Sequence, residues 1–120
     1  MNWKDVVQKD REMVLATSSK DGKPHAIFVM CEGWIDDKIL INACQTTRSL
    51  NNLTENPLAC LVIKHEGNYY RIKGKVELHS SGKYFDIGVE RNADGNNSTK
   101  SVILVSVEEV FDLDKIEKIL

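Results

Sequence analysis

The common catalytic signatures are missing from this 120-residue chain. It has no G-x-G-x-x-G, no Walker loop and no G-x-S-x-G elbow, so a Rossmann dinucleotide site, nucleotide hydrolysis and α/β-hydrolase chemistry lack their phosphate cradles and nucleophile turn. No C-x-x-C occurs. Cys31, Cys44 and Cys60 are odd in number, far apart and set in strand-like apolar surroundings, which suits reduced, packed thiols better than a disulfide or zinc framework. His25, His65 and His79 fall near strand ends with no carboxylate or cysteine at ligand spacing, so turn or surface positions are expected rather than a metal centre. No pair of acids stands out for general acid–base work.

Charge of one sign is also scarce. A net charge of -2, a pI near 5.9 and dispersed lysines and arginines give no basic field to hold nucleic acid. No apolar run approaches the roughly 20 residues that span a bilayer. The opening Met1-Asn2-Trp3-Lys4-Asp5 lacks the apolar core of a signal peptide, so a cytoplasmic location is expected. With 42% hydrophobic and 28% charged residues, residues 1–120 read as one domain with a core of its own and no second one. Internal repeats and low-complexity tracts are absent.

What is present is mostly strand. Asn2 is a candidate N-cap for a short amphipathic helix over residues 2–11, with Trp3, Val6 and Val7 at helical spacing. Met13–Ser18 and His25–Trp34 are apolar runs joined by Lys20-Asp21-Gly22-Lys23-Pro24, where Asp-Gly supplies the positive φ of a hairpin. Asp36-Asp37 turns the chain into a third strand, Lys38–Cys44, completing an antiparallel meander. Leu58–Ile63 is apolar on both faces and is expected at the centre of the sheet. Beyond the Glu66-Gly67-Asn68 turn, Tyr69–His79 alternates, with Tyr70, Ile72, Gly74, Val76 and Leu78 on one face and Tyr69, Arg71, Lys73, Lys75 and Glu77 on the other. That charged face suits solvent, or a partner or ligand edge. A helix from Ser80 or Ser81 carries Tyr84, Phe85, Ile87 and Val89, a polar loop follows over 92–98, and Ser101–Val107 is β-branched, with Val110–Leu113 continuing it. Six strands with few, short helices predict a mainly β fold, a small six-stranded antiparallel barrel whose closure removes exposed edges.

The stretch Lys38–Pro57 is where chemistry can enter. A strand runs directly into a helix whose Leu50 and Leu53 share one face, and Asn56-Pro57 ends it. Thr46, Thr47, Arg48 and Ser49 lie at the junction, so hydroxyls, a guanidinium and unpaired backbone N–H groups meet at the positive end of a helix dipole, as in a phosphate site. Simple capping by Thr46 or Thr47 beside a solvated Arg48 is the competing reading.

Several pieces, in order, resemble one family. Leu15-Ala16-Thr17 with Asp21-Gly22-Lys23-Pro24, the strand ending at Thr46-Thr47-Arg48-Ser49, Asn52-Leu53 before Asn56-Pro57, and Tyr70-Arg71-Ile72-Lys73-Gly74-Lys75-Val76 are similar to the pyridoxamine 5′-phosphate oxidase-like, FMN-binding split-barrel proteins. The resemblance implies a split barrel with the FMN phosphate at Thr46, Thr47, Arg48 and Ser49. It implies a flavin ring along Phe28, Val29 and Met30 and along the strand end at Asn42 and Ala43. It further implies a homodimer in which a second subunit completes the site, with outward Tyr69 and Arg71 as candidates for that role. Many relatives carry lysine where this chain has Ser49, so Arg48 has to act with the hydroxyls. The pyridoxal-phosphate-holding C-terminal extension of the authentic oxidase has no counterpart before Leu120, so true pyridoxamine-phosphate oxidation is not expected. The implied activity is an FMN-dependent oxidoreductase, flavin reductase-like, moving electrons from a reduced nicotinamide to a small acceptor. A non-catalytic flavin- or haem-binding storage or sensor protein is the alternative, and deazaflavin a third option.

Overall fold

The computed structural model describes residues 2–43, 47–92 and 99–120. Glu12–Ser18 (β1), Pro24–Ile35 (β2) and Lys38–Ala43 (β3) form the expected meander. β1 also pairs with Leu58–His65 (β4), β4 with Asn68–His79 (β5), and β5 with Ser101–Asp112 (β6), while a two-residue strand, Glu117–Lys118 (β7), lies along the end of β6. β3 pairs antiparallel with β6, from Ile39↔Val105 to Ala43↔Ser101, and this last ladder closes six strands into a barrel. Asp36 and Asp37 (φ 48° and 63°) and Glu66 and Gly67 (φ 49° and 80°) place two positive φ values in succession, the backbone of tight hairpin turns.

Alternate residues of every strand fill the barrel: Met13, Leu15, Cys31, Ile41, Leu61, Ile63, Ile72 and Ile103 are all nearly or fully buried. The β3–β6 ladder is buried on its outer side too, where Leu40, Val102 and Leu104 pack under Tyr84, Phe85 and Ile87 of the helix Lys83–Arg91 (α3). α3 contains Gly88 for a reason of space, since a Cβ there would collide with Val102 Cγ1.

Two expectations are corrected. The N-terminal helix covers only Trp3–Val6 (α1): Asn2 caps it as expected, but Arg11 donates to the Val6 carbonyl at 3.0 Å and Trp34 Nε1 to that of Val7 at 2.7 Å. Side chains thus take the carbonyls that further helical turns would have used. β4 does lie between β1 and β5, yet its outer face is open, with Leu58 51% and Val62 36% exposed. β6, by contrast, continues past Val107 as expected and runs through Asp112, with a register shift opposite Lys73 and Gly74, where a Cβ on Gly74 would collide with the Ser106 carbonyl. Cys44 and residues 93–98 of the expected polar loop lie outside the described residues.

Gly88→Ala should therefore cost about 1–3 kcal/mol by overpacking. Urea denaturation would show a lower midpoint, partly recovered when Val102→Ala makes room, and an unchanged midpoint would refute the close-approach account.

Cys31 gives a pH-dependent test. Burial pushes its thiol up to about 11, against a smaller lowering by the Gly33 amide, which donates to Sγ at 3.2 Å. The folded state keeps the proton while the unfolded chain loses it above its ordinary value of 9.0, so the unfolded state binds fewer protons and stability falls as pH rises from about 9 to 11. The loss should reach about 2 kcal/mol. Denaturation curves at pH 8, 9.5 and 11 should show a shallower decline for Cys31→Ala; parallel declines would assign the slope to other groups.

Candidate functional site

The strand-to-helix junction has the order expected of it. β3 ends at Ala43 and the nine-residue helix Thr47–Glu55 (α2) follows. The expected contribution of Thr46 lies outside the described residues. Thr47 and Arg48 are exposed in the first turn, whereas Ser49 is fully buried and its Oγ has no hydrogen-bond partner. A desolvated hydroxyl left unpaired costs about 1–3 kcal/mol, so its persistence beside a first turn of unpaired N–H groups calls for an acceptor. Helix α2 is bolted in place further along: Asn52 Nδ2 donates to Thr17 Oγ1 of β1 at 3.1 Å, Leu53 enters the core, and Pro57 follows directly. The dipole, the exposed guanidinium and the hydroxyls suit a phosphate monoester, so the residues present fit the phosphate end of FMN.

The strand expected to carry the ring lies beside the junction. Cys31 pairs with Ile41, and counting two residues on puts Val29 level with Ala43. Val29 and Ala43 point into the core, so only their backbone can meet a ligand. Phe28 is 72% and Met30 46% exposed on the outer face. Asn42 is half-buried, with Nδ2 donating to the Gly88 carbonyl of α3 at 3.1 Å, so its side chain joins β3 to α3. The far end of β2 is held by α3 as well: Arg91 donates to the Glu32 and Trp34 carbonyls, both at 3.1 Å, around the bulge at Gly33.

Tyr69 and Arg71 lie elsewhere on the same outer face. β1 and β4 intervene between them and Phe28, and three strand steps amount to roughly 14 Å. One barrel does not bring them to the ring strand. Register instead places Arg71 in a single row running Phe28–Val14–Val62–Arg71–Phe111 across β2, β1, β4, β5 and β6. The guanidinium sits 4.8 Å from the Phe111 ring, and its Nε is buried without a hydrogen-bond partner. Val14, Val62 and Phe111 were not among the sequence candidates. The signal that could have found them is Leu58–Ile63, apolar on both faces in a chain with too few helices to cover both.

A cleft of about 400 Å³ opens beside this row, lined by Ser18, Leu58, Cys60, Lys73 and Glu108 among others. It borders Asn56, past the last residue of α2, and is therefore separate from the anion-attracting first turn. Partial burial raises the Cys60 thiol, with Lys73 and Arg71 opposing, so the thiol is held protonated rather than activated.

The architecture has known counterparts. HupZ of Group A Streptococcus is 21% identical with a TM-score of 0.85, over 98% of this chain and 95% of that one. An FMN-binding protein of Syntrophomonas wolfei subsp. wolfei is 14% identical with a TM-score of 0.74, over 92% of this chain and 80% of that one. HutZ, the haem storage protein of Vibrio cholerae, is 12% identical with a TM-score of 0.71, over 92% and 91%. At such identities the likeness establishes the fold. A family model described as pyridoxamine 5′-phosphate oxidase matches residues 2–114, nearly the whole length over which the resemblance was read. With the six-stranded barrel closed and the junction in its expected place, the chain belongs to the pyridoxamine 5′-phosphate oxidase-like, FMN-binding split-barrel family.

Proposed function

We propose that this protein is an FMN-binding flavoprotein that acts as a homodimeric oxidoreductase in the cytoplasm. The observation that carries the reading is the unpartnered, fully buried Ser49 hydroxyl in the first turn of α2, next to exposed Arg48 and Thr47. Bound there, FMN would supply hydride acceptance from a reduced nicotinamide and onward transfer to a small acceptor. Thr47, Arg48, Ser49 and the first-turn amides hold the phosphate. Phe28 and Met30 and the backbone at Val29, Asn42 and Ala43 form the platform for the ring. The described residues offer no nucleophile–base pair at this site, which agrees with a cofactor that brings its own reactivity.

The open outer face supports the dimer. Phe28, Met30, Val62, Leu58 and Tyr69 are all at least a third exposed on one side of the sheet, uncovered by the described residues. A second copy covers a self-complementary face of this kind with two equivalent sites.

The competing reading, a non-catalytic holder of flavin or haem, draws support from the likeness to HutZ, a haem storage protein. Haem would need an axial ligand. All three histidines are half-buried: His79 lies 3.4 Å from Glu77 and 5.1 Å from the Tyr84 ring, His65 lies 3.7 Å from Glu66, and His25 stands at the start of β2 opposite Thr17. The spectrum of the purified protein separates the readings, since a flavin spectrum supports FMN and a Soret band supports haem. A colourless protein that ignores added FMN would sink the proposal.

Arg48→Ala should weaken FMN roughly ten- to a hundredfold, the worth of a charge-assisted bond of about 1.5–3 kcal/mol, and leave riboflavin affinity nearly unchanged. Titration of both ligands checks this; equal losses for both would remove Arg48 from the phosphate. Phe28→Asp sets a charge in the most exposed part of the apolar face and should yield monomers by light scattering at micromolar concentration. A wild-type monomer that still binds FMN would overturn the shared-site arrangement.

A further inference from the structure

The cleft beside Cys60 has its cause in the register of the strands. Ala16 pairs with Ala26 on one side and with Cys60 on the other, and Cys60 pairs with Lys73. Small side chains therefore stand together where the flanking outward positions hold Val14, Val62 and Leu58. The space left is about 400 Å³, within the range of small-ligand pockets. Ala16 and Cys60 are half-buried at its base, and Leu58 forms an apolar wall.

The rim carries one charge of each sign. Lys73 of β5 and Glu108 of β6 both line the cleft, and Asn56, one residue past the end of α2, adds an amide. Glu108 owes its place to the irregularity in the β5–β6 ladder. Lys73 pairs with Glu109 and Gly74 with Val107, so Glu108 is the extra residue of a bulge, a device that re-aims a side chain. Neither rim charge is closely met. Lys73 Nζ lies 3.8 Å from Glu109 and Glu108 lies 3.8 Å from Lys75 Nζ, whereas Lys38 and Glu77 close to 2.7 Å. With Lys73, Lys75 and Glu108 at least half exposed, such pairs contribute little and exchange partners at little cost.

We propose that the cleft binds a small zwitterion, an α-amino acid with an aliphatic side chain. Its carboxylate meets Lys73, its ammonium meets Glu108, and its side chain lies on Ala16, Cys60 and Leu58. Adjacent strands stand about 4.8 Å apart, so a cation on β5 and an anion on β6 suit two groups borne by one carbon. An aliphatic acid or amine leaves one of the two rim charges unmatched. The site is built from one chain and depends on neither the FMN reading nor the dimer.

Three probes test it: L-norleucine, hexanoate and pentylamine share a butyl-bearing carbon that carries both charges, the carboxylate alone or the ammonium alone. Titrated into the purified protein and followed by amide NMR, L-norleucine should give saturable shifts at Ala16, Cys60 and Gly74. It should bind about three- to tenfold more tightly than either single-charge probe. Lys73→Met should remove its advantage over pentylamine and keep that over hexanoate, and Glu108→Gln should do the converse. Both substitutions are at half-exposed side chains, so the thermal midpoint should stay near that of the wild type. Cys60→Leu fills the base of the cleft and should abolish saturable binding of all three probes. Equal affinity for the three, shifts confined to other residues, or shifts that never saturate would overturn the proposal. So would binding that emerges only in the Phe28→Asp monomer, which would make a second copy of the chain the occupant of the cleft.

Discussion

The ladder between β3 and β6 is the constraint on which the other features depend. It joins strands some 60 residues apart, from Ile39↔Val105 to Ala43↔Ser101, and turns a row of strands with two raw edges into a barrel. It also fixes where the helices go. β3 and β6 are apolar on both sides of this ladder, so α3 is drawn over Leu40, Val102 and Leu104, close enough that only glycine fits at position 88. With α3 spent there and α1 reduced to one turn, the outward side chains of β2, β1, β4 and β5, Phe28, Met30, Leu58, Val62 and Tyr69 among them, stay exposed among the described residues. The exposed apolar row follows from the closure of the barrel on its other side.

The anion-attracting turn follows from the same ladder. The last residues of β3 are held by β2 on one edge and β6 on the other, so the chain leaves the sheet at Ala43 in a fixed place. The Asn52–Thr17 hydrogen bond and the burial of Leu53 then fix α2 against β1. Arg48 and Thr47 are thus presented by a helix anchored further along its length. A binding turn held by supports outside itself can tolerate an unpaired hydroxyl such as that of Ser49, at a cost that a ligand or solvent-excluding partner can offset.

Strands and turns were legible in the sequence because their signals are local. Asp21-Gly22, Asp36-Asp37 and Glu66-Gly67 mark hairpins by residues that accept positive φ, and β5 shows its inner face by strict alternation. The helix α1 was overread because Trp3, Val6 and Val7 have helical spacing, while the side chains that end it, Arg11 and Trp34, act from outside the segment. The passage from β3 into α2 was legible too, since a β-branched run followed by hydroxyls and helix-spaced leucines is also a local pattern. The row through Phe28, Val14, Val62, Arg71 and Phe111 was not legible, because its members are distant in sequence and become neighbours only through four separate registers.

Those two parts of the site differ in what they ask of a single chain. Ser49 Oγ and Arg71 Nε are buried polar atoms without partners, one on α2 and the other on β5. Each unpaired group costs on the order of 1–3 kcal/mol in the isolated protomer, a substantial fraction of the stability of a domain this size. A group that binds the folded state and satisfies either atom would return that cost as apparent stability. Ligand binding at α2 and association through the outer face would therefore act on the same folding equilibrium, each by giving a partner to a polar atom that the single chain leaves unpaired.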